Sequence, residues 1–353
     1  MKAYINGIGN ISPQLTYDNS VFLNSVKPLQ FPFARCEEPN YKELINPMQL
    51  RRMGRILRMG VTAAGIALKE SGVENPDAII TGTGLGLVQD TEKFLLSLLE
   101  NDEKLLNPTS FIQSTHNTVG AHIAVMLKCN NYNYTYVNSS ISFESALLDS
   151  LMQVEENPAA SILLGGLDEM TEMYHKITYR AGMWNKYNPG IDQPGNLESD
   201  NVIAGEGSAY FVLSGKKHPA CYAVFEDTET FYKPASTEKI ATNILGFLEK
   251  NKLHPEEIDL VIFGQQDAEG DIIYQDIRKN LFRNNSQARY KHLCGEYYTS
   301  SAFASWLGAN ILKRQTIPAD TLLTAKPGAP AKKILIYNHF RNIYHSVILM
   351  SEC

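Results

Sequence analysis

Apolar positions along this chain follow two rhythms, short continuous runs and stretches with helical spacing, and they alternate from one end to the other. Ala3-Tyr4-Ile5-Asn6-Gly7-Ile8-Gly9 reads as a strand entering a glycine turn, and an irregular, proline-rich stretch follows to about Pro47. From Arg51 to Ser71, the spacing of Met53, Ile56, Leu57, Val61, Ala64, Ile66 and Ala67 predicts an amphipathic helix closed by Gly72. A strand over 77–86 and a helix over 91–99 come next, then a helix over 121–127 and a strand over 134–138. That strand enters the turn Ser139-Ser140-Ile141-Ser142, which opens a largely apolar helix over 143–154. Runs at 159–166 and 205–213 predict two more strands.

The second half repeats this logic. Strands are expected over 221–225 and 258–264, helices over 237–250, 272–280 and 301–312, and a final strand pair over 333–337 and 346–350. Near-continuous apolar strands between helices point to an α/β architecture whose sheets are covered on both faces. Similar content before and after about residue 215 points to two duplicated halves, 1–215 and 216–353, although no sequence repeat is visible.

Composition narrows the function classes. With 353 residues, 44% hydrophobic and 20% charged, the chain can bury one large core or two fused ones. A formal charge of -6 supplies no basic field for phosphates, so nucleic acid is not expected as a partner. No run approaches the roughly 18 apolar residues of a membrane span. The first residues lack the apolar core of a signal peptide, so a cytoplasmic location is expected. Five cysteines, odd in number and without CxxC spacing, argue against a disulfide framework or a zinc site, and reduced thiols are expected. The glycines at 82–86 match neither dinucleotide nor phosphate-loop spacing and read as tight strand-to-helix packing.

The ordered punctuation resembles the β-ketoacyl-acyl-carrier-protein synthases of the thiolase superfamily. Thr81-Gly82-Thr83-Gly84 is similar to a strand end of the family's first half, and the run from Pro108 to Gly120 resembles its aryl-polyene and flexirubin-type branch. Leu163-Leu164-Gly165-Gly166-Leu167-Asp168-Glu169 resembles the AGGAE strand, and Ala204-Gly205-Glu206-Gly207-Ser208-Ala209 the GDGAG turn. Lys291 through Ser301, followed by Ile317-Pro318-Ala319-Asp320-Thr321-Leu322, looks like the KSxxGHxxxA segment and the strand after it. The resemblance implies a thiolase-like five-layered αβαβα sandwich, usually dimeric.

It also implies a chemistry. A ketosynthase holds an acyl chain on a thiolate at a helix N-terminus and aims two histidines at the enolate oxygen that develops as a malonyl thioester loses carbon dioxide. Laid on this chain, the nucleophile elbow falls on Ser139 or Ser140, and neither is a cysteine. The first histidine position, after the strand 259–263, is Gly264; the Gly270-Asp271 beyond it matches the family. The family lysine is kept as Lys291, but the second histidine position is Glu296, whose charge would oppose an enolate and pair instead with Lys291. Bulky residues from Phe340 to His345 stand where the family has its GFGGTN loop, against a working oxyanion hole.

Ser139 and Ser140 read structurally as helix-capping serines. As acylated nucleophiles they would need a base, and His116, His292, His339 and His345 all lie off the family's catalytic positions. Phe143, Glu144 and Phe340 are candidate pocket residues, with Glu144 lining an acyl tunnel or meeting a partner subunit; Asp168 and Glu169 are expected to tie loops together. The resemblance therefore points to a chain-length-factor-like subunit of fatty-acid or polyketide synthesis. Its expected partners are an active ketosynthase, or a second copy of itself, and an acyl carrier protein. No cofactor is expected beyond the phosphopantetheine arm that the carrier brings. The competing expectation is an active 3-oxoacyl-acyl-carrier-protein synthase or a serine acyltransferase with non-standard residues.

Overall fold

The computed structural model describes residues 2–104, 106–184, 202–267, 271–326 and 330–353. The first half contributes strands β1 (Ala3–Ile11), β2 (Ala78–Gly82), β3 (Tyr132–Tyr136), β4 (Ile162–Asp168) and β5 (Gly207–Ser214). The second contributes β6 (Ala223–Tyr232), β7 (Leu260–Phe263), β8 (Ser286–Arg289), β9 (Leu322–Thr324), β10 (Lys333–Phe340) and β11 (Tyr344–Ser351). Helices α1 (Pro47–Leu50), α2 (Arg55–Ser71), α3 (Val88–Glu100), α4 (Pro108–Gln113), α5 (Thr118–Leu127), α6 (Ser142–Glu156) and α7 (Glu172–Arg180) belong to the first half. Helices α8 (Thr237–Lys250), α9 (Ile272–Asn280), α10 (Lys291–Cys294) and α11 (Ser300–Arg314) belong to the second.

Strand order is β3-β2-β4-β5-β1-β6-β11-β10-β7-β8-β9. Read outward from the β1–β6 seam, the first five strands of the two halves follow the same order and directions, and β9 is an additional edge strand of the second half. β1 and β5 are antiparallel as β6 and β11 are, β5 and β4 as β11 and β10, while β4, β2, β3 and β10, β7, β8 run parallel. This duplicated topology holds although the sequence shows no repeat.

Three apolar clusters give the layers. One lies between α2 with α5 and the first half-sheet, one around α6 and α11 between the halves, and one between α8 with α9 and the second half-sheet. The order of layers is therefore helix, sheet, helix, sheet, helix, as expected. Central α11 is buried from Ser300 to Leu312, which explains its small residues Ala302, Ala304, Gly308 and Ala309: two sheets must approach it at once. Outer α2 buries one face, including Leu57, and Gly72 closes it in the left-handed conformation (φ 72°). Truncation of Leu57 to Ala should cost about 2–5 kcal/mol.

Two expectations need correction. Cys221 and Cys353 form a disulfide, so the thiols are not all reduced; cysteines 132 residues apart meet because β6 and β11 are neighbours, which their spacing does not reveal. Capping of α6 by Ser139 or Ser140 is not found either. Ser142 holds that turn instead, its Oγ accepting from the Asn138 N–H (2.8 Å) and donating to the Ser139 carbonyl (2.6 Å).

Among the described residues, no helix is long and apolar enough to cross a membrane, and no group of three or more His, Cys, Asp or Glu side chains could hold a metal.

Candidate functional site

Parallel strands β7 and β10 end side by side, and a small cavity opens at their carboxyl ends, where open α/β sheets place their ligands. Gly264 follows β7, His339 and Phe340 end β10, Asp271 and Tyr274 come from the start of α9, Lys291 opens α10 and Glu296 follows it. Met183, Trp184 and Val202 give the cavity an apolar side.

Lys291 is 1% exposed, and its Nζ meets Glu296 Oε2 at 2.6 Å and donates to the His339 carbonyl at 3.3 Å. Burial raises the Glu296 carboxyl and the Lys291 ammonium pulls it back. The pair is positioned by glycines that the sequence motifs had marked. A Cβ on Gly205 would stand 2.0 Å from the Cys294 carbonyl oxygen, and one on Gly295 would stand 2.6 Å from Gly205 Cα. The GEG turn and the segment after Lys291 thus touch backbone to backbone, and the Glu296 N–H donates to the Ile203 carbonyl at 2.9 Å.

Gly264 admits no side chain. A Cβ there would lie 2.1 Å from Asn338 Oδ1 and 2.7 Å from the Tyr274 hydroxyl. The volume that an imidazole would take at this position is filled by Asn338 and Tyr274, both buried.

The cavity does contain an imidazole, His339, stacked on Tyr274 with ring centroids 4.3 Å apart. Its Nδ1 accepts from the Asn342 N–H (3.3 Å), which places the proton on Nε2, 3.2 Å from Asp271 Oδ2. Burial raises the Asp271 carboxyl, but His339 and the backbone N–H of Ile273 outweigh it and hold Asp271 below its usual range. With one nitrogen accepting and the other facing a carboxylate, this ring has no free lone pair for a substrate proton. Beyond Phe340 the strand turns at once: Arg341 and Asn342 are both left-handed (φ 53° and 52°), and Ile343 N–H closes on the Phe340 carbonyl. Three residues, Arg341 to Ile343, thus join Phe340 to its partner Tyr344 in a tight hairpin loop. The matched Gly270 lies outside the described residues.

Neither Ser139 nor Ser140 lines this cavity, nor do Phe143 and Glu144, whereas Phe340 does. Ser139 has a left-handed backbone (φ 53°), unusual for serine, and Ser140 is 3% exposed with no partner for its hydroxyl. Glu144 is 1% exposed and accepts from Ser346 Oγ on β11 at 2.7 Å; burial raises its carboxyl. Phe143 is fully buried and packs on Phe211.

Asp168 ties loops as expected, accepting from the Thr83 hydroxyl, the Gly84 and Leu85 N–H groups, and both the N–H and hydroxyl of Thr299. Burial still pushes it up to about 6. Glu169 accepts from the Gln89 N–H and is pushed up by burial to about 7. His116 is exposed, and His292 is lowered to about 4 by burial. Sequence reasoning did not foresee the roles of Asp271, Tyr274 and Asn338. Asp271 had a legible signal as the N-cap of α9, accepting from the Ile273 N–H.

Residues 29–187 match the family model described as beta-ketoacyl synthase, N-terminal domain. Solved structures with this fold include the ishigamide ketosynthase/chain length factor, at 17% identity and TM-score 0.77 over 100% of this chain and 99% of that one. A beta-ketoacyl synthase from Burkholderia phymatum STM815 gives 16% identity and TM-score 0.77 over 100% and 99%. The ketosynthase ApeO in complex with its chain length factor ApeC, from Xenorhabdus doucetiae, gives 14% identity and TM-score 0.74 over 100% and 98%. No curated protein sequence matches. The chain thus has the thiolase-like ketosynthase fold.

Proposed function

We propose that this chain is a non-condensing partner of an active ketosynthase, a chain-length-factor-like subunit of fatty-acid or polyketide synthesis of the aryl-polyene or flexirubin type. The observation that carries this reading is the floor of the cavity. Where the resemblance sets one family histidine, at Gly264, Asn338 and Tyr274 fill the space, and where it sets the other, Glu296 is locked to buried Lys291. Decarboxylative condensation needs a thiolate and hydrogen-bond donors aimed at an enolate. A serine elbow with a closed ion pair supplies neither. The cofactor requirement would be met by the phosphopantetheine arm of an acyl carrier protein bound to the complex.

A partner surface supports the reading. β3 pairs only with β2 among the described strands and leaves its other edge open, without the lysine or proline that protects an edge. Around it Tyr132, Tyr134 and Val137, with Val125 on α5 and Leu148 and Met152 on α6, are all at least 40% exposed. Such apolar exposure beside an open edge suits an extended subunit interface. Coexpression with a cysteine-containing ketosynthase should yield a one-to-one complex, and Tyr134→Glu with Met152→Glu should abolish it while leaving the melting temperature of the chain within about 2 °C. A clean homodimer with no affinity for such a synthase would remove the reading.

The unusual backbone of Ser139 and the unpartnered Ser140 hydroxyl favour one competitor, an acyl-serine enzyme. Acyl label found on either serine by mass spectrometry after incubation with acyl carrier protein would establish it, and its absence at saturating carrier would dismiss it.

A further inference from the structure

The two half-sheets are joined through one short strand pair. β1 and β6 match only at Ala3–Phe225, Tyr4–Val224 and Ile5–Ala223. β11 accompanies β6 to the same point, its last pair being Ser351 with Val224. Just beyond that pair Cys353 is bonded to Cys221, with Cα atoms 6.5 Å apart, inside the range of about 4.4–6.8 Å that disulfides adopt. The neighbouring bonds converge there too: Tyr222 N–H donates to the Ile5 carbonyl at 2.8 Å, and Lys217 Nζ to the Cys353 carbonyl at 3.1 Å. The disulfide spans 132 residues, so it closes the whole second half, β6 through β11, into a ring whose clasp lies on the seam.

We propose that Cys221 and Cys353 form a redox latch on the seam between the halves. Cys353 is exposed while Cys221 is 8% exposed, so Cys353 is the half of the bond open to attack by an external thiolate. In reduction by a dithiol, that thiolate attacks Cys353 Sγ, the S–S bond breaks, and Cys221 leaves as a thiolate that takes a proton from water. The second thiol of the reductant then displaces Cys353 and closes its own disulfide, two electrons having passed to the protein. A small disulfide such as oxidised glutathione reverses the sequence. The remaining thiols do not compete: Cys129 and Cys294 are buried, and burial raises Cys36 and Cys294 well above the ordinary range, leaving them protonated. Reduction opens the ring, releases the residues after Ser351, and loosens the short β1–β6 pairing.

The test compares the full-length chain treated with oxidised glutathione or with dithiothreitol, alkylated under denaturing conditions and mapped by mass spectrometry. Oxidised protein should show a peptide joining Cys221 to Cys353 and alkylation only at the three free cysteines, against five after reduction. Reduction should lower the melting temperature by about 5 °C or more, as expected for opening so long a loop, and should speed amide exchange at Ala3–Ile5. Cys353→Ser should match the reduced protein and ignore dithiothreitol. Five free thiols after oxidation, crosslinks through Cys36, Cys129 or Cys294 instead, or a Cys221–Cys353 crosslink that changes neither melting nor exchange at the seam would each overturn the latch.

Discussion

Lys291 and Glu296 face each other across the mouth of a left-handed glycine, Gly295 (φ 78°), with Nζ 2.6 Å from Oε2 and the lysine almost wholly out of water. Each charge exists at this depth because the other does. Replacing Glu296 with Ala leaves an unpaired ammonium in the interior and should cost about 3–5 kcal/mol, whereas the double replacement Lys291→Met with Glu296→Leu should recover most of it. Denaturant titration of the two single variants and the double variant gives the coupling. A loss under about 1 kcal/mol in Glu296→Ala would show that the pair is solvated rather than closed.

Introducing a histidine at position 264 should fail. Its Cβ would collide with Asn338 Oδ1 and the Tyr274 hydroxyl, both on buried side chains, so Gly264→His should either not fold or melt at least several degrees lower, and Gly264→Ala should cost about 1–3 kcal/mol. Thermal melts of both variants decide it. A Gly264→His protein as stable as its parent would mean that the site has room for an imidazole.

Buried His345 predicts how stability responds to acid. It is 0% exposed, its Nδ1 lies 3.0 Å from the Tyr337 hydroxyl, and burial lowers it to about 3. A histidine lowered on folding binds its proton more readily when unfolded, so its contribution is complete above the unfolded value near 6.5 and is lost as pH falls from there toward 3. Between pH 7 and pH 5 that loss is about 2 kcal/mol. Asp168 and Glu169, both raised by burial, have the opposite slope over part of this range, favouring the protonated fold at lower pH. The comparison is therefore made against His345→Gln, which cannot charge. Urea midpoints at pH 7 and pH 5 should fall further in the parent than in the variant; equal falls would place His345 as a charged or solvated group.

Elements and their order were legible because the buried strands are continuous apolar runs and the helices carry a clear 3.6-residue stripe. The bounds of α8 and α9 match the expected ranges, and β7 and β4 lie within or close to theirs. α7 was not foreseen: Tyr174, His175 and Thr178 face inward among polar neighbours, so its apolar stripe is faint. β8 was missed because Ser286-Gln287-Ala288-Arg289 buries polar side chains, Gln287 spending its amide on Arg278 and the Phe282 carbonyl. In the site, Lys291 and Glu296 were legible as a pair because they stand five positions apart around a motif glycine. The His339–Asp271 contact was not, since it joins the end of β10 to the start of α9 across a parallel strand pair. The disulfide escaped for the same reason, its two cysteines being brought together only by the β6–β11 register.

The central claim is that this cavity cannot stabilise an enolate, and release of carbon dioxide tests it most directly. Purified chain, free of any cysteine-containing synthase, is incubated with malonyl-loaded acyl carrier protein and the evolved carbon dioxide is counted. Release indistinguishable from carrier protein alone is the predicted result. Turnover that rises in proportion to the concentration of this chain and disappears in Lys291→Met would contradict the account.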